Sequence, residues 1–338
     1  MDLPTLHATV RALLADNKGL LAMDESTPTA NKRFEARHIP VTEAARLAWR
    51  RLIVTAPGLS EGIGGAILYD ETIRQALPDG TPIAEALAAR GIVPGIKVDE
   101  STVPLPGHPG EVMTEGLDGL RDRLQEYKTL GARFTKWRAV IGIGPGLPSR
   151  AAIDTNAQTL ALYATLCQEA GMVPIVEPEV LMDGDHSLER CAEVTSEVLH
   201  TVFDRLYRMG VDYGGMILKP NMVLSGKDAA RQAGVDEVAA ATVTCLLRTV
   251  PAAVGGVAFL SGGQTPDQAT LHLNAMHRDY GDRLPWPLTF SFSRAVQQPA
   301  MDAWAGQEAN LGEAQRLLVD YTSRNRVARR GAYPATTA

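Results

Sequence analysis

Three apolar segments of this sequence each contain a lysine. Lys219 lies in GMILKPNM, Lys136 in FTKWRAV and Lys97 in VPGIKVD. Desolvation in such a segment favours the neutral amine. A neutral lysine attacks a ketone to form an iminium, which then withdraws electrons from a neighbouring C–C bond. If Lys219 is considered in isolation, its side chain could instead extend from the strand end to solvent and have no catalytic role.

The other two lysines have further interpretations. Lys136 could hold a carboxylate or favour the neutral form of Lys219, and its alternative is a structural ion pair. Arg138 follows two residues later and therefore shares a strand face with Lys136. Lys97 could bind phosphate as a point charge, and its alternative partner is Asp99 on the same face.

Carboxylates occupy equivalent segments. Glu177 and Glu179 share a face of VPIVEPEV, and two adjacent carboxylates resist ionising together, so one is a candidate general acid/base. Alternatively, both neutralise the nearby lysines. Asp24 in AMDES could take a proton from a substrate hydroxyl. Alternatively, Asp24 caps the N-terminus of a helix, because Asp24, Ser26 and Thr29 precede a helical stretch.

A phosphate site is indicated near the C-terminus. Ser261, Gly262 and Gly263 follow an apolar run and precede a capped helix, and Arg294 ends the next run. Glycines let backbone N–H groups approach phosphate oxygens, and a helix N-terminus favours negative charge. Arg294 would add a bidentate donor. These groups predict a site for a doubly anionic carbonyl compound.

Composition excludes several other classes of function. The net charge of −6 argues against nucleic-acid or anionic-membrane partners. No histidine falls at a strand end and no HxH or HExxH occurs, so no metal site is predicted. Three well-separated cysteines, with neither a signal peptide nor an apolar run of spanning length, predict a cytoplasmic protein.

The elements that would position these residues alternate in type. Eight short apolar runs, each typical of a strand buried on both faces, alternate with longer helical patterns. The runs cover residues 20–24, 66–70, 93–99, 134–140, 173–180, 215–222, 256–263 and 288–294. Their charged residues lie within or at the ends of the strands, and in a closed barrel they would all point at one mouth. We therefore predict an α/β fold, a (β/α)8 TIM barrel.

The helices carry their own signals. Thr265-Pro266-Asp267-Gln268 is a capping box with proline at the first helical position, and Gly171 and Gly210 mark helix ends. No linker divides the chain. We predict a single domain over 1–338, with an N-terminal helix over about 5–16 and a short tail over about 331–338.

Several motifs resemble one known family. LLAMDES, GGAILYDET, GIKVD, FTKWR, VPIVEPE, DGDH, LKPNM, LSGGQ and LTFSFSRA occur in the order found in class I fructose-bisphosphate aldolases, from about Asn17 to about Tyr333. The resemblance implies a (β/α)8 barrel and reversible cleavage of fructose 1,6-bisphosphate to dihydroxyacetone phosphate and glyceraldehyde 3-phosphate, in glycolysis or gluconeogenesis. It implies a sugar phosphate substrate, no cofactor or metal beyond the lysine imine, and a homo-oligomer, usually a tetramer.

The resemblance also implies roles for individual residues. Lys219 matches the Schiff-base lysine. Glu177, with Glu179 beside it, matches the acid/base for carbinolamine dehydration. Asp24 matches the carboxylate that takes the C4 hydroxyl proton, and Lys136 is the lysine near both. The residues implied for the C1 phosphate are Ser261, Gly262 and Arg294, and those for the C6 phosphate region are Ser26, Thr29, Arg33, Lys97 and Arg138.

Three positions depart from the family pattern. Thr29 replaces a serine but keeps the hydroxyl, and Phe292-Ser293 replaces the Tyr-Gly that precedes the arginine in many relatives. The chain ends in GAYPATTA, so Tyr333 is not the terminal tyrosine that assists proton transfer in animal relatives. Two alternatives therefore stay open: a Schiff-base aldolase for another ketose phosphate, and a non-catalytic scaffold on the same barrel.

Overall fold

The strands of the computed structural model, which describes residues 2–334, include eight that alternate with helices along the chain. These eight are β1 Gly19–Ala22, β2 Ile63–Leu68, β3 Val93–Lys97, β6 Phe134–Ile141, β7 Val173–Val180, β8 Ile217–Leu218, β9 Val257–Phe259 and β10 Leu288–Phe292, and a hairpin of β4 Thr102–Pro104 and β5 Val112–Thr114 interrupts them. The eight form a closed parallel barrel in the order β1-β10-β9-β8-β7-β6-β3-β2. The predicted (β/α)8 barrel is confirmed.

Helices cover the outside of the barrel and one of its ends. They are α1 Leu3–Leu14, α2 Thr27–Glu35, α3 Glu43–Val54, α4 Leu59–Gly62, α5 Asp70–Ile73, α6 Ile83–Ala88, α7 Leu120–Thr129, α8 Arg150–Glu169, α9 Leu188–Arg208, α10 Val235–Thr249, α11 Pro266–Tyr280, α12 Arg294–Trp304 and α13 Leu311–Ala328. Within residues 2–334, none of them is long and apolar enough to cross a membrane.

The helix termini follow the local signals, with one exception. The Thr265 hydroxyl accepts a hydrogen bond from the Gln268 backbone N–H, and the Gln268 side-chain oxygen accepts one from the Thr265 backbone N–H, so the predicted capping box is present. The N-terminal helix begins and ends earlier than the predicted 5–16, because Asp2 caps it by accepting from the Thr5 backbone N–H. Residues 335–338 of the predicted tail lie outside the described part of the chain.

The barrel strands divide their side chains between two apolar clusters. On β7, Val173 and Ile175 point into the barrel interior, whereas Val176 and Val180 pack outward against the helices. This alternation follows from the period of two along a strand. The next inward positions of β7 are Glu177 and Glu179, so their side chains also point into the barrel, near its C-terminal mouth.

Helix α1 closes the opposite end. Its Leu6, Val10, Leu13 and Leu14 join the interior cluster with Leu20, Ile67, Phe134, Val173, Ile217 and Ala258. Small residues leave room for this packing, since a Cβ on Gly65 would lie 2.4 Å from Leu13 Cδ2 and one on Gly95 would lie 2.3 Å from the Phe134 ring. The interior is therefore apolar at its N-terminal end and open at the other.

The helical plug predicts a large loss of stability on truncation of Leu13, which is fully buried. We expect Leu13→Ala to lower the free energy of unfolding by about 3 kcal/mol, because it leaves a cavity among rigid neighbours. Urea denaturation of both proteins measures this. The matched control is Leu3→Ala on the same helix, where the side chain is 37% exposed and little change is expected. Equal effects of the two variants would contradict the packing role of α1.

Candidate active site

Four charged side chains form a continuous chain of ion pairs at the bottom of the barrel mouth. Lys219 Nζ lies 3.1 Å from Glu177 Oε1. The other oxygen of Glu177 lies 3.3 Å from Lys136 Nζ, and Lys136 Nζ lies 2.6 Å from Asp24 Oδ2. The order of contacts is therefore Lys219, Glu177, Lys136, Asp24, with alternating charge. We refer to these residues as the charged quartet.

The quartet is withdrawn from water. Lys219 and Glu177 are 3% exposed, Lys136 is 5% and Asp24 is 8% exposed. Burial by itself would raise the pKa of Asp24, but the charges of Lys136 and Lys219 outweigh it and lower that pKa below its usual range. Burial would likewise lower the pKa of Lys136, but Asp24 and Glu177 raise it well above its usual range. Lys136 is therefore a fixed positive charge.

Strand register brings the quartet together. Lys136 pairs with Ile175 and Arg138 with Glu177 in the β6–β7 ladder, so both strands point their inward charges at the same level of the mouth. Lys219 directly follows β8, and Asp24 lies two residues beyond β1. Asp24 does not cap α2, because the N-cap residue is Ser26. The alternative reading of Asp24 as an N-cap is therefore wrong.

Two cations next to the quartet are engaged in ion pairs of their own. Lys97 Nζ lies 2.7 Å from Asp99 Oδ1 and donates to the Asp99 carbonyl at 2.6 Å. Arg138 Nε donates to Glu179, and the Arg138 backbone N–H donates to Asp99. Each of Glu177 and Glu179 thus has its own cations, which corresponds to the alternative in which the two glutamates neutralise neighbouring basic groups.

The predicted phosphate loop lies on the adjacent strands. Ser261, Gly262 and Gly263 follow β9, and both glycines have positive φ, 59° and 91°. Arg294 begins α12, and its guanidinium lies near enough to Gly263 that a Cβ there would be 3.5 Å from Arg294 Nη2. Arg33 lines the same cavity as Arg294, and burial together with the charge of Arg33 lowers the pKa of Arg294.

One cavity of about 1150 Å³ joins these groups. Of the predicted site residues, Gly263 lies just outside its lining. Its walls include Asp24, Ser26, Thr29, Arg33, Lys97, Lys136, Arg138, Glu177, Glu179, Lys219, Ser261, Gly262 and Arg294. Ser26 and Thr29 contribute hydroxyls 3.1 Å apart at the start of α2. The cavity therefore offers anion-binding groups around a buried amine.

Several residues of the site were not found by the sequence analysis. Glu25 is a buried residue of the cavity wall and binds Arg33 and Arg50. The only local signal for Glu25 was its position directly after Asp24, and Arg50 gave none, because it lies on a distant helix. Ser291 lines the cavity, and its hydroxyl is buried without a hydrogen-bond partner among residues 2–334.

Two further observations concern the remaining predictions. Tyr333 is tied to α11, where its backbone N–H donates to Asn274 at 2.9 Å, and it does not line the cavity. In the described part of the chain, no three His, Cys, Asp or Glu side chains are grouped as metal ligands would be.

Comparison with known proteins identifies similar chains. The family described as "Glycolytic: Fructose-bisphosphate aldolase class-I" matches residues 5–338. A "Probable fructose-bisphosphate aldolase class 1" of Xanthomonas campestris pv. campestris is 53% identical over 334 residues, covering 98% of this chain and 99% of the relative. "Fructose-bisphosphate aldolase 5, cytosolic" of Arabidopsis thaliana is 48% identical over 328 residues, covering 97% and 91%.

A solved structure is also similar along its whole length. It is a Plasmodium falciparum fructose-bisphosphate aldolase, determined in complex with TRAP and a small-molecule inhibitor. The TM-score is 0.96 at 42% sequence identity, covering 98% of this chain and 96% of that one.

The charge of Asp24 predicts a specific dependence of stability on pH. Its pKa in the folded chain lies below the ordinary 3.8, so the ionised group contributes stability that is present above 3.8 and lost as pH falls through the folded-state value. The difference in unfolding free energy between wild type and Asp24→Asn should be constant from about pH 7 to about pH 5 and then shift in favour of the variant. Urea denaturation across this range measures it. A constant difference down to about pH 3 would contradict the prediction.

Proposed function

The chain belongs to the class I fructose-bisphosphate aldolase family, and we propose that Lys219 is the amine through which it performs the chemistry of that family. The protein is a lyase that cleaves fructose 1,6-bisphosphate reversibly to dihydroxyacetone phosphate and glyceraldehyde 3-phosphate through a lysine Schiff base. The observation that supports Lys219 is its place in the charged quartet, 3.1 Å from the carboxylate of Glu177 and open to the cavity.

Glu177 moves protons during imine formation. Its carboxylate is placed to accept the proton that Lys219 must lose before the amine attacks C2 of the ketose. The protonated Glu177 then donates to the carbinolamine hydroxyl, which leaves as water. Lys136, 3.3 Å away on the other side, keeps Glu177 oriented and partly compensates its charge.

Asp24 acts in the cleavage step. Its carboxylate takes the proton of the C4 hydroxyl while the C3–C4 bond breaks. The electron pair of that bond moves into the iminium and gives an enamine, and C4 leaves as the aldehyde. The ion pair with Lys136 supports this role because it favours the ionised form of Asp24. Protonation of the enamine at C3 and hydrolysis of the imine then release dihydroxyacetone phosphate.

The two phosphate groups bind on either side of the amine. Ser261 and Gly262, which line the cavity, and Gly263 next to them hold the C1 phosphate through backbone N–H groups, and Arg294 adds its guanidinium. Of these residues, Gly262 and Gly263 have positive φ. The C6 phosphate is held by Lys97 and Arg138, with the hydroxyls of Ser26 and Thr29 nearby. Since Lys97 pairs with Asp99 and Arg138 with Glu179, a phosphate must compete with these two carboxylates for the cations.

No metal takes part in the proposed reaction, since the imine supplies the electron sink that a Lewis acid would otherwise provide. A cytoplasmic location is proposed from the cytosolic names of plant relatives. A homo-oligomer is proposed from the resemblance to the family.

Chemical trapping tests the assignment of Lys219. Borohydride added with dihydroxyacetone phosphate, in buffer containing EDTA, should reduce the imine to a stable secondary amine on Lys219, located by mass spectrometry of the peptides. Lys219→Ala should abolish both labelling and fructose 1,6-bisphosphate cleavage. The control is Lys227→Ala, an exposed lysine paired with Asp183. Labelling that persists in Lys219→Ala, or that EDTA prevents, would refute the mechanism.

The two carboxylates of the quartet should fail at different steps. Glu177→Gln should slow imine formation, because the amide neither accepts nor donates the proton that dehydration requires. Asp24→Asn should still form the imine with dihydroxyacetone phosphate but lose cleavage of fructose 1,6-bisphosphate by at least about 10²-fold. Rapid-quench trapping and steady-state cleavage rates separate these effects. If both variants stop at the same step, the roles are assigned wrongly.

A further inference from the structure

Ser293 makes a set of contacts that the family pattern does not account for. Its hydroxyl donates to Glu25 Oε1 at 2.6 Å, and it accepts from both terminal nitrogens of Arg33 at 3.3 Å. Gln297, one turn later on α12, also donates to it at 3.3 Å. The hydroxyl therefore connects the segment after β1, the helix α2 and the start of α12.

Capping of α12 does not explain these contacts. Ser293 is the N-cap residue of that helix, and an N-cap serine ordinarily accepts from a backbone N–H of the first turn. The Ser293 side chain makes no such bond. Its hydroxyl is directed at the Glu25 carboxylate, so its role lies in the side-chain network.

Glu25 is a rigid anchor for this network. Its side chain is 6% exposed and binds the 4%-exposed side chain of Arg50 at 2.8 Å through Oε2. Oε1 accepts from Arg33 at 2.5 Å and from Gln297 at 2.9 Å. Gln297 is held in turn by the Ala22 carbonyl and by Trp49. A side chain held by Glu25 and Ser293 therefore has a defined position.

Arg33 is the member of this network that reaches the ligand cavity. It lines the cavity together with Arg294, the residue that directly follows Ser293. Two guanidinium groups in one wall of the cavity repel each other. They stay close together only when neighbouring groups hold them in position. Glu25 compensates the charge of Arg33, and the Ser293 hydroxyl fixes its direction. Together they keep Arg33 beside Arg294, a geometry that suits a single dianion.

We propose that Ser293 is a positioning residue for phosphate binding: its hydroxyl holds the Arg33 guanidinium beside Arg294, so that both arginines bind the same phosphate group of the substrate. This inference rests on the proposed function, which puts the C1 phosphate at Arg294. It moves Arg33 from the C6 phosphate, where the family resemblance had put it, to the C1 phosphate. Arg33 makes the contact, and Ser293 acts through Arg33.

Removal of the hydroxyl tests the proposal. Ser293→Ala should raise KM for both fructose 1,6-bisphosphate and fructose 1-phosphate roughly five-fold, the effect of losing one hydrogen bond of ordinary strength, with kcat within about two-fold. The Kd of inorganic phosphate, measured by titration calorimetry, should rise by a similar factor. Gln298→Ala is the matched control, because Gln298 lies on the same helix and, among residues 2–334, its side chain forms hydrogen bonds only with Asp302.

A double-mutant cycle tests whether Ser293 acts through Arg33. In an Arg33→Ala background, Ser293→Ala should cause no further change in KM or in phosphate Kd. The proposal is overturned by an unchanged KM in Ser293→Ala, by a loss of kcat alone, or by the same rise in KM when Arg33 is absent. Failure of the proposed function is distinct from all of these, since the wild type would then cleave neither substrate.

Discussion

The structure depends on keeping two positive and two negative charges buried at one level of a barrel. Each of the four would carry a desolvation penalty of several kcal/mol if it stood alone, and attraction offsets that penalty only when partners are within contact distance. The alternating order Lys219, Glu177, Lys136, Asp24 meets this requirement, with distances of 3.1, 3.3 and 2.6 Å. The same contacts place carboxylate oxygens beside the Lys219 amine, so compensation of charge and the proposed catalysis share one geometry.

The barrel satisfies this constraint through the period of its strands. Inward positions on β7 are Val173, Ile175, Glu177 and Glu179, so one strand crosses from an apolar layer to a charged layer within a few residues. Helix α1 seals the apolar end. Water and ligands therefore reach the quartet only through the C-terminal mouth, where the cavity opens. A low dielectric beneath the charges strengthens every electrostatic interaction above it.

Three cations around the quartet are each held by an acidic partner. Lys97 is held by Asp99, Arg138 by Glu179 and Arg33 by Glu25. Pairing prevents these groups from collapsing onto the quartet or repelling one another across the cavity. Glu25 is also bound by Arg50 and by Gln297 on its buried side, so the carboxylate that holds Arg33 has several partners.

The sequence by itself determined the barrel, the family and the depth of each charged residue along its strand. Local alternation of apolar and polar residues sets which face a side chain takes, and parallel strands bring their C-terminal ends to one edge. Tertiary structure alone decided the pairing: Glu179 with Arg138, Lys136 with both Asp24 and Glu177, and Glu25 with Arg50. Partners separated by 25 to 268 positions, such as Glu25 with Arg50 and with Ser293, leave no local pattern. Only strand register and helix packing fix the distances on which an ion pair depends.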